Sequence, residues 1–224
     1  MKDENAILYV PAGGQEPRSV EIFDAPSPFL PEGWVRVRTL FSAISPGTEG
    51  GKILAGRMNL LEKARAKPEQ AAQVARMVGT MGLRATIRKV RSRLEGAQPL
   101  GYSLSGTVLE TGGPVPGIGP GTLVACAGGG YAHHADEAVV PANLCAAVPE
   151  GVAPDRAAFA TLGAIALQGV RLAAPQAGDR TVVSGLGIVG ALASQILRAS
   201  GCAVMGVDIS EHALGLAAAT GSVD

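Results

Sequence analysis

Two sets of residues have types and spacing that could do chemistry. The first is Gly185-Leu186-Gly187-Ile188-Val189-Gly190, a GxGxxG. A glycine-rich turn entering a helix gathers unpaired backbone N–H groups and the positive end of the helix dipole, which suits a pyrophosphate. In this reading Gly185 allows the tight turn, Gly187 admits the phosphates without a Cβ in the way, and Gly190 permits close packing of helix on strand. Asp208 lies 18 residues beyond Gly190. There it would accept hydrogen bonds from adenosine ribose hydroxyls, and its charge would repel a 2′-phosphate, favouring NAD(H) over NADP(H).

The second set is Cys126, Cys145, Cys202, His133 and His134. The cysteines form no CxxC, and an odd number cannot be fully paired, so a reduced, cytoplasmic setting is expected. A metal site of Cys126, His133 and His134 would need both histidines to converge, yet strand neighbours point to opposite faces. Ordinary surface or strand histidines are expected instead, with no metal.

These residues need elements to position them. An apolar strand over Thr181–Ser184 leads into the glycine turn, and the helix "ALASQILRAS" follows. "CAVMGVD" reads as a second buried strand ending in Asp208. "SEHALGLAAAT" reads as a second helix with Ser210 as its N-cap. Together they make the βαβ unit in which a GxGxxG acquires meaning. Upstream, "PDRAAFATLGAIALQGVRLAA" reads as one helix of small apolar residues. The first fifty residues look like a β domain: "AILYV" is a short strand and "GWVRVRTLFSAIS" a longer one, with Val35, Val37 and Leu40 expected on one side. From Pro99 the strand pattern returns in "SGTVLETG" and "GTLVACAGG", joined by "GGPVPGIGPG", and in "ADEAVVPANLCAAVP". Between lies a block of helical character, 51–97. Pro68 suits a first helical turn. Ile87, Val90 and Leu94 make one stripe with Arg84, Arg88 and Arg91 off it, and Gly96 is a plausible stop.

Composition narrows the function classes. Aromatics are only 4%, which argues against a stacking surface for single-stranded nucleic acid. No apolar run of membrane-spanning length occurs, and the N-terminus lacks the form of a signal peptide. Formal charge sums to zero, yet residues 51–99 hold eleven Lys or Arg against three Glu, a net of +8. Such a block suits either an anionic ligand or a solvated helical face.

With "SPGTE", "PLGYSLSGTVLETG", "GTLVACAGGGYAHHADEAVVP", "AAFATLGAIALQGV" and the dinucleotide unit in this order, nearly the whole chain resembles the medium-chain dehydrogenase/reductase superfamily. More narrowly, "ISPGTE", the helical insertion and "TLGAIALQGVR" look like a branch often fused to a glucose–fructose-oxidoreductase-like domain. The resemblance implies a GroES-like catalytic β domain over 1–150, carrying the insertion, and the first half of a Rossmann fold over 151–224. It implies hydride transfer to or from a carbonyl or alcohol, on a small-molecule substrate that is sugar-related in that branch. The family's zinc branch uses three protein ligands and one open position. Their positions fall at Pro46, at Tyr102 with Ser103 beside it, and near Leu162. None is a normal zinc ligand, and the four-cysteine structural lobe is absent, so no zinc is expected. Thr48 sits where the family's proton-relay hydroxyl is found, and Tyr102 occupies the vacated histidine position; both are candidate proton-transfer groups.

A full dinucleotide fold has about six parallel strands, and this sequence supplies two strand–helix units of it. The chain is therefore expected to be the front part of a longer enzyme, with little activity alone. A split enzyme completed by a complementary chain, a homo-oligomer and a non-catalytic binding module all remain open, without nucleic acid or membrane as partner.

Overall fold

The computed structural model describes residues 4–10, 20–57, 82 and 98–224. Most of the basic block, with Pro68, Arg84, Ile87, Arg88, Val90, Arg91, Leu94 and Gly96, lies outside the described residues.

Two antiparallel sheets make the first region. In the smaller, β1 (Glu4–Val10) runs between β2 (Glu21–Pro26) and β4 (Gln98–Pro99). The larger has the order β7-β3-β5-β6-β8, built from β3 (Trp34–Ser42), β5 (Ser103–Thr111), β6 (Leu123–Ala127), β7 (Glu137–Pro141) and β8 (Cys145–Ala147). Asn5 staples the sheets together: its amide donates to the Glu137 carbonyl at 2.7 Å and accepts from the Glu137 N–H at 2.9 Å. Both bonds are needed, because Asn5 is buried and an unpaired amide there would cost stability.

Inward residues of the larger sheet close the core. Val35, Val37, Leu104, Val108, Val124, Cys126, Ala138 and Val140 form one cluster. Each fully buried valine or leucine contributes roughly 1.5–3 kcal/mol relative to exposure. Val35 and Val37 share a face as expected, but Leu40 does not and is exposed. The ladder pairs Thr39 with Gly106 and Phe41 with Ser105, so Leu40 is the extra residue of a bulge and leaves the alternation.

Short helix α1 (Pro46–Arg57) follows β3. The expected long helix after the β region is divided in two, α2 (Pro154–Ala157) and α3 (Ala160–Ala173). The break faces β5, whose hydroxyls bond to carbonyls just before it and within it. Ser105 Oγ donates to the Pro154 carbonyl at 2.5 Å and Ser103 Oγ to the Ala158 carbonyl at 2.6 Å. The Ala158 carbonyl is thereby drawn out of the helical ladder.

Beyond α3 the pattern becomes parallel. β9 (Arg180–Ser184), α4 (Ile188–Ala199), β10 (Ala203–Val207) and α5 (Glu211–Ala219) form the expected βαβα order, with β9 and β10 paired in parallel. Ser210 caps α5 as expected, accepting from the Ala213 N–H at 3.3 Å. Val170 of α3 joins Leu197, Cys202 and Val204 in a second core. Because α3 also packs on β5 and β6, it is the element that links this core to the first. No helix among the described residues is long and apolar enough to cross a membrane.

Candidate functional site

The three glycines of the turn are there for three different reasons. Gly185 has φ +89°, which side chains rarely adopt. Its N–H donates to the Val207 carbonyl at 2.7 Å, tying the turn to the end of β10. A Cβ on Gly190 would sit 1.8 Å from the Gly185 carbonyl oxygen, so helix and turn meet only without one. Gly187 is different: its φ is −64°, open to any residue, and a Cβ there would meet no protein atom within 4 Å. Neither backbone strain nor packing within the protein asks for glycine at Gly187.

Gly187 is also the N-cap of α4. No side chain caps this helix and no acidic residue stands in its first turn. Its leading N–H groups therefore have no side-chain cap, and the space beside Gly187 is open. Beside them, Asp208 Oδ2 accepts from the Leu186 N–H at 2.6 Å and Oδ1 from the Ser210 N–H at 2.8 Å. These backbone bonds, Leu186 first, hold the carboxyl below the usual carboxylate range. Asp208 is thus charged at neutral pH and fixed at the lip of the turn. Each oxygen keeps further lone-pair capacity for a ligand hydroxyl.

β9 pairs only with β10 among the described strands. Between β9, α3 and α4 runs a groove of about 820 Å³, lined by Ile165, Gly169, Thr181, Val183, Val189 and Ala193 among others. The groove reaches Gly185 and Gly190 of the turn.

The residues expected in the catalytic half lie on separate elements. Thr48 is exposed in the first turn of α1, its Oγ1 3.4 Å from Ser45 Oγ. Tyr102 is half-buried just before β5, and no hydrogen bond joins it to Thr48. Pro46 opens α1, Ser103 is committed to Ala158, and Leu162 is buried in the α3 packing. Among the described residues no three of His, Cys, Asp or Glu are grouped to hold a metal ion.

The histidines depart from expectation. Both are buried, and both lie in the loop before β7 rather than on a strand. The His134 backbone N–H donates to the Leu100 carbonyl at 2.8 Å, which draws the loop inward. His134 then sits between Glu49 and Ser42, with Nε2 at 3.1 Å from Glu49 Oε2 and Nδ1 at 2.8 Å from Ser42 Oγ. A carboxylate only accepts, so Nε2 carries a proton and, in the neutral ring, Nδ1 accepts from the Ser42 hydroxyl. Glu49 Oε1 accepts in turn from the Ser45 N–H at 3.1 Å. A buried chain of hydrogen bonds therefore runs from β3 through the loop to the start of α1, where Thr48 stands. Sequence reasoning missed Ser42, Glu49 and His134 as a group; the one signal was a histidine beside a strand and a glutamate in "SPGTE", 85 residues apart. Neither ring nitrogen of His133 has a partner at full hydrogen-bonding geometry, and the Tyr131 backbone makes only a weak contact with the ring. Burial, then the neighbouring His134, pushes its pKa below the ordinary histidine value.

The architecture follows the medium-chain dehydrogenase/reductase fold: an antiparallel β region joined to a parallel βαβα unit. No family model and no curated protein matches the sequence. Solved structures do match. A quinone oxidoreductase from Coxiella burnetii is 19% identical with a TM-score of 0.68, covering 97% of this chain and 60% of its own. A short chain alcohol dehydrogenase from Escherichia coli CFT073, in complex with NADH, is 18% identical with a TM-score of 0.71, covering 99% and 61%. The 2-octenoyl-CoA carboxylase reductase CinF, with NADP and 2-octenoyl-CoA, is 19% identical with a TM-score of 0.71, covering 99% and 55%. The chain thus spans about 60% of the length of these structures.

Proposed function

We propose that this chain is the cofactor-docking portion of a nicotinamide-dependent oxidoreductase. The observation that carries the reading is Gly187: a glycine that the protein itself does not need, below an uncapped helix N-terminus and beside a fixed carboxylate. A pyrophosphate is the group that would use that space. The turn would bind it, Leu186, Ile188 and Val189 supplying backbone around it, and Asp208 would orient the adenosine ribose. Asp208 favours NAD(H), since its charge opposes a 2′-phosphate. The cofactor, when bound, supplies hydride to or from a carbonyl or alcohol carbon.

In the same reading the catalytic half works without zinc. The Thr48 and Tyr102 hydroxyls move the proton, and the Ser42–His134–Glu49 chain holds the first turn of α1, and so Thr48, in place. The substrate is a small molecule, sugar-related if the narrower resemblance holds, in a cytoplasmic enzyme. The nicotinamide ring needs more walls than two strands supply. The edge of β9 that no described strand pairs with, and its groove, suit the addition of a further parallel strand, from the same polypeptide or from a complementary chain.

Titrating NADH and NADPH in parallel into the native chain and an Asp208→Asn chain tests the cofactor preference. NADH should bind the native chain more tightly, and the variant should lose about tenfold for NADH while NADPH gains. Equal affinities in both chains would overturn the preference. Binding with no turnover by any longer form would favour a non-catalytic module.

A further inference from the structure

The cysteines are not three equivalent thiols. Cys126 on β6 and Cys145 on β8 are direct partners in the antiparallel ladder, and their sulfurs are 3.6 Å apart. Cys126 belongs to the β core, while Cys145 is half-buried at the start of a three-residue strand at the edge of the sheet. Cys145 Sγ lies 3.5 Å from the Pro141 carbonyl. Cys202 stands apart in the second core, its Sγ 3.4 Å from the Gln176 carbonyl.

We propose that Cys126 and Cys145 are a modification site, a vicinal cross-strand dithiol that small-molecule disulfides of the glutathione type oxidise to an intramolecular disulfide, with Cys202 left reduced. Directly opposed residues on an antiparallel pair share a face, with Cβ atoms about 5 Å apart. A disulfide usually takes about 4 Å. Closing the difference asks a shift of about 1 Å, which a three-residue edge strand gives more readily than a central one.

The two thiols have unequal roles. Cys126 S–H, donating to Cys145, pushes the Cys145 thiol down, and the same bond with burial pushes Cys126 up. The Cys145 thiolate attacks one sulfur of the small disulfide, forming a mixed disulfide and releasing one thiolate. Capping Cys145 removes the charge and the hydrogen bond that raised Cys126. Cys126 then loses its proton to water and attacks the Cys145 sulfur, releasing the second thiolate. Two protein thiols are oxidised and one small disulfide is reduced to two thiols. The closed bridge fastens edge strand β8 to β6. It also reaches α3, because Thr161 Oγ1 donates to the Cys126 carbonyl at 3.4 Å.

The test incubates the reduced full chain with oxidised glutathione, alkylates the remaining thiols and maps peptides by mass spectrometry. The native chain should end two hydrogens lighter before alkylation, with Cys126 and Cys145 peptides joined and only Cys202 alkylated. Its melting temperature should rise by roughly 5 °C or more. Cys126→Ser should stop at a glutathione adduct on Cys145. Cys145→Ser should leave Cys126 reduced, and Cys202→Ser should still form the bridge. Three alkylated cysteines, consumption of Cys202 alongside the pair, or a lasting adduct on Cys145 of the native chain would each overturn the proposal. Should Cys126→Ser fail to fold, the native and Cys202→Ser chains still decide it.

Discussion

The glycine turn and the His134 cluster handle polar groups in opposite ways. At the turn the helix donors are uncapped, the space over Gly187 is open, and the half-buried Asp208 carboxylate keeps lone pairs free beyond its two backbone bonds. Around His134 each ring nitrogen and both oxygens of Glu49 have partners, and the ring and carboxylate are buried. An open, unsatisfied site suits a ligand, as proposed above; a closed, satisfied one suits holding elements together. Altering the closed site should therefore change stability first, and altering the open one should change binding first.

The largest expected effect is on the closed site. His134→Ala leaves Glu49 Oε2 buried without its donor, which should cost about 3 kcal/mol in urea unfolding. A cost within 0.5 kcal/mol of zero, on the order of a surface change, would mean the cluster is not what fastens α1. Next is Gly190→Ala. It belongs to the turn but acts through packing, and with a Cβ driven against the Gly185 carbonyl it should lose about 2 kcal/mol. The smallest effect concerns His133. Its pKa is lowered in the folded protein, so the unfolded chain takes up the proton first as pH falls. Its contribution to stability is full above the ordinary histidine range, about 6.5, and declines as pH drops toward the folded value. His133→Phe should flatten that acid-side slope in melts between about pH 7 and 5. An unchanged slope would place the linkage elsewhere.

The same contrast explains what could be read from the chain. The turn is local: strand, glycines, helix and Asp208 lie within one βαβ unit, and their spacing alone placed them. Backbone conformation at Gly185 and packing at Gly190 follow from residue type, so the roles were legible too. The cluster joins Ser42, Glu49 and His134 across separations of 92 and 85 residues, and no periodicity reports such a meeting. Treating the histidines as strand neighbours also failed, because the loop that holds them is bent inward by a backbone bond to Leu100. The Leu40 bulge and the break between α2 and α3 were hidden for a related reason. Each depends on a neighbour distant in sequence: the β5 ladder in one case, the Ser103 hydroxyl in the other.

In the proposed function the space over Gly187 belongs to a dinucleotide's pyrophosphate. Calorimetric titration of NADH into the native chain and into a Gly187→Ala chain tests it most directly. The added methyl meets no protein atom, so stability should stay within about 1 kcal/mol, the scale of an N-cap change. NADH affinity should fall at least tenfold. Equal NADH affinity for two equally folded chains would mean that no pyrophosphate uses the space over Gly187.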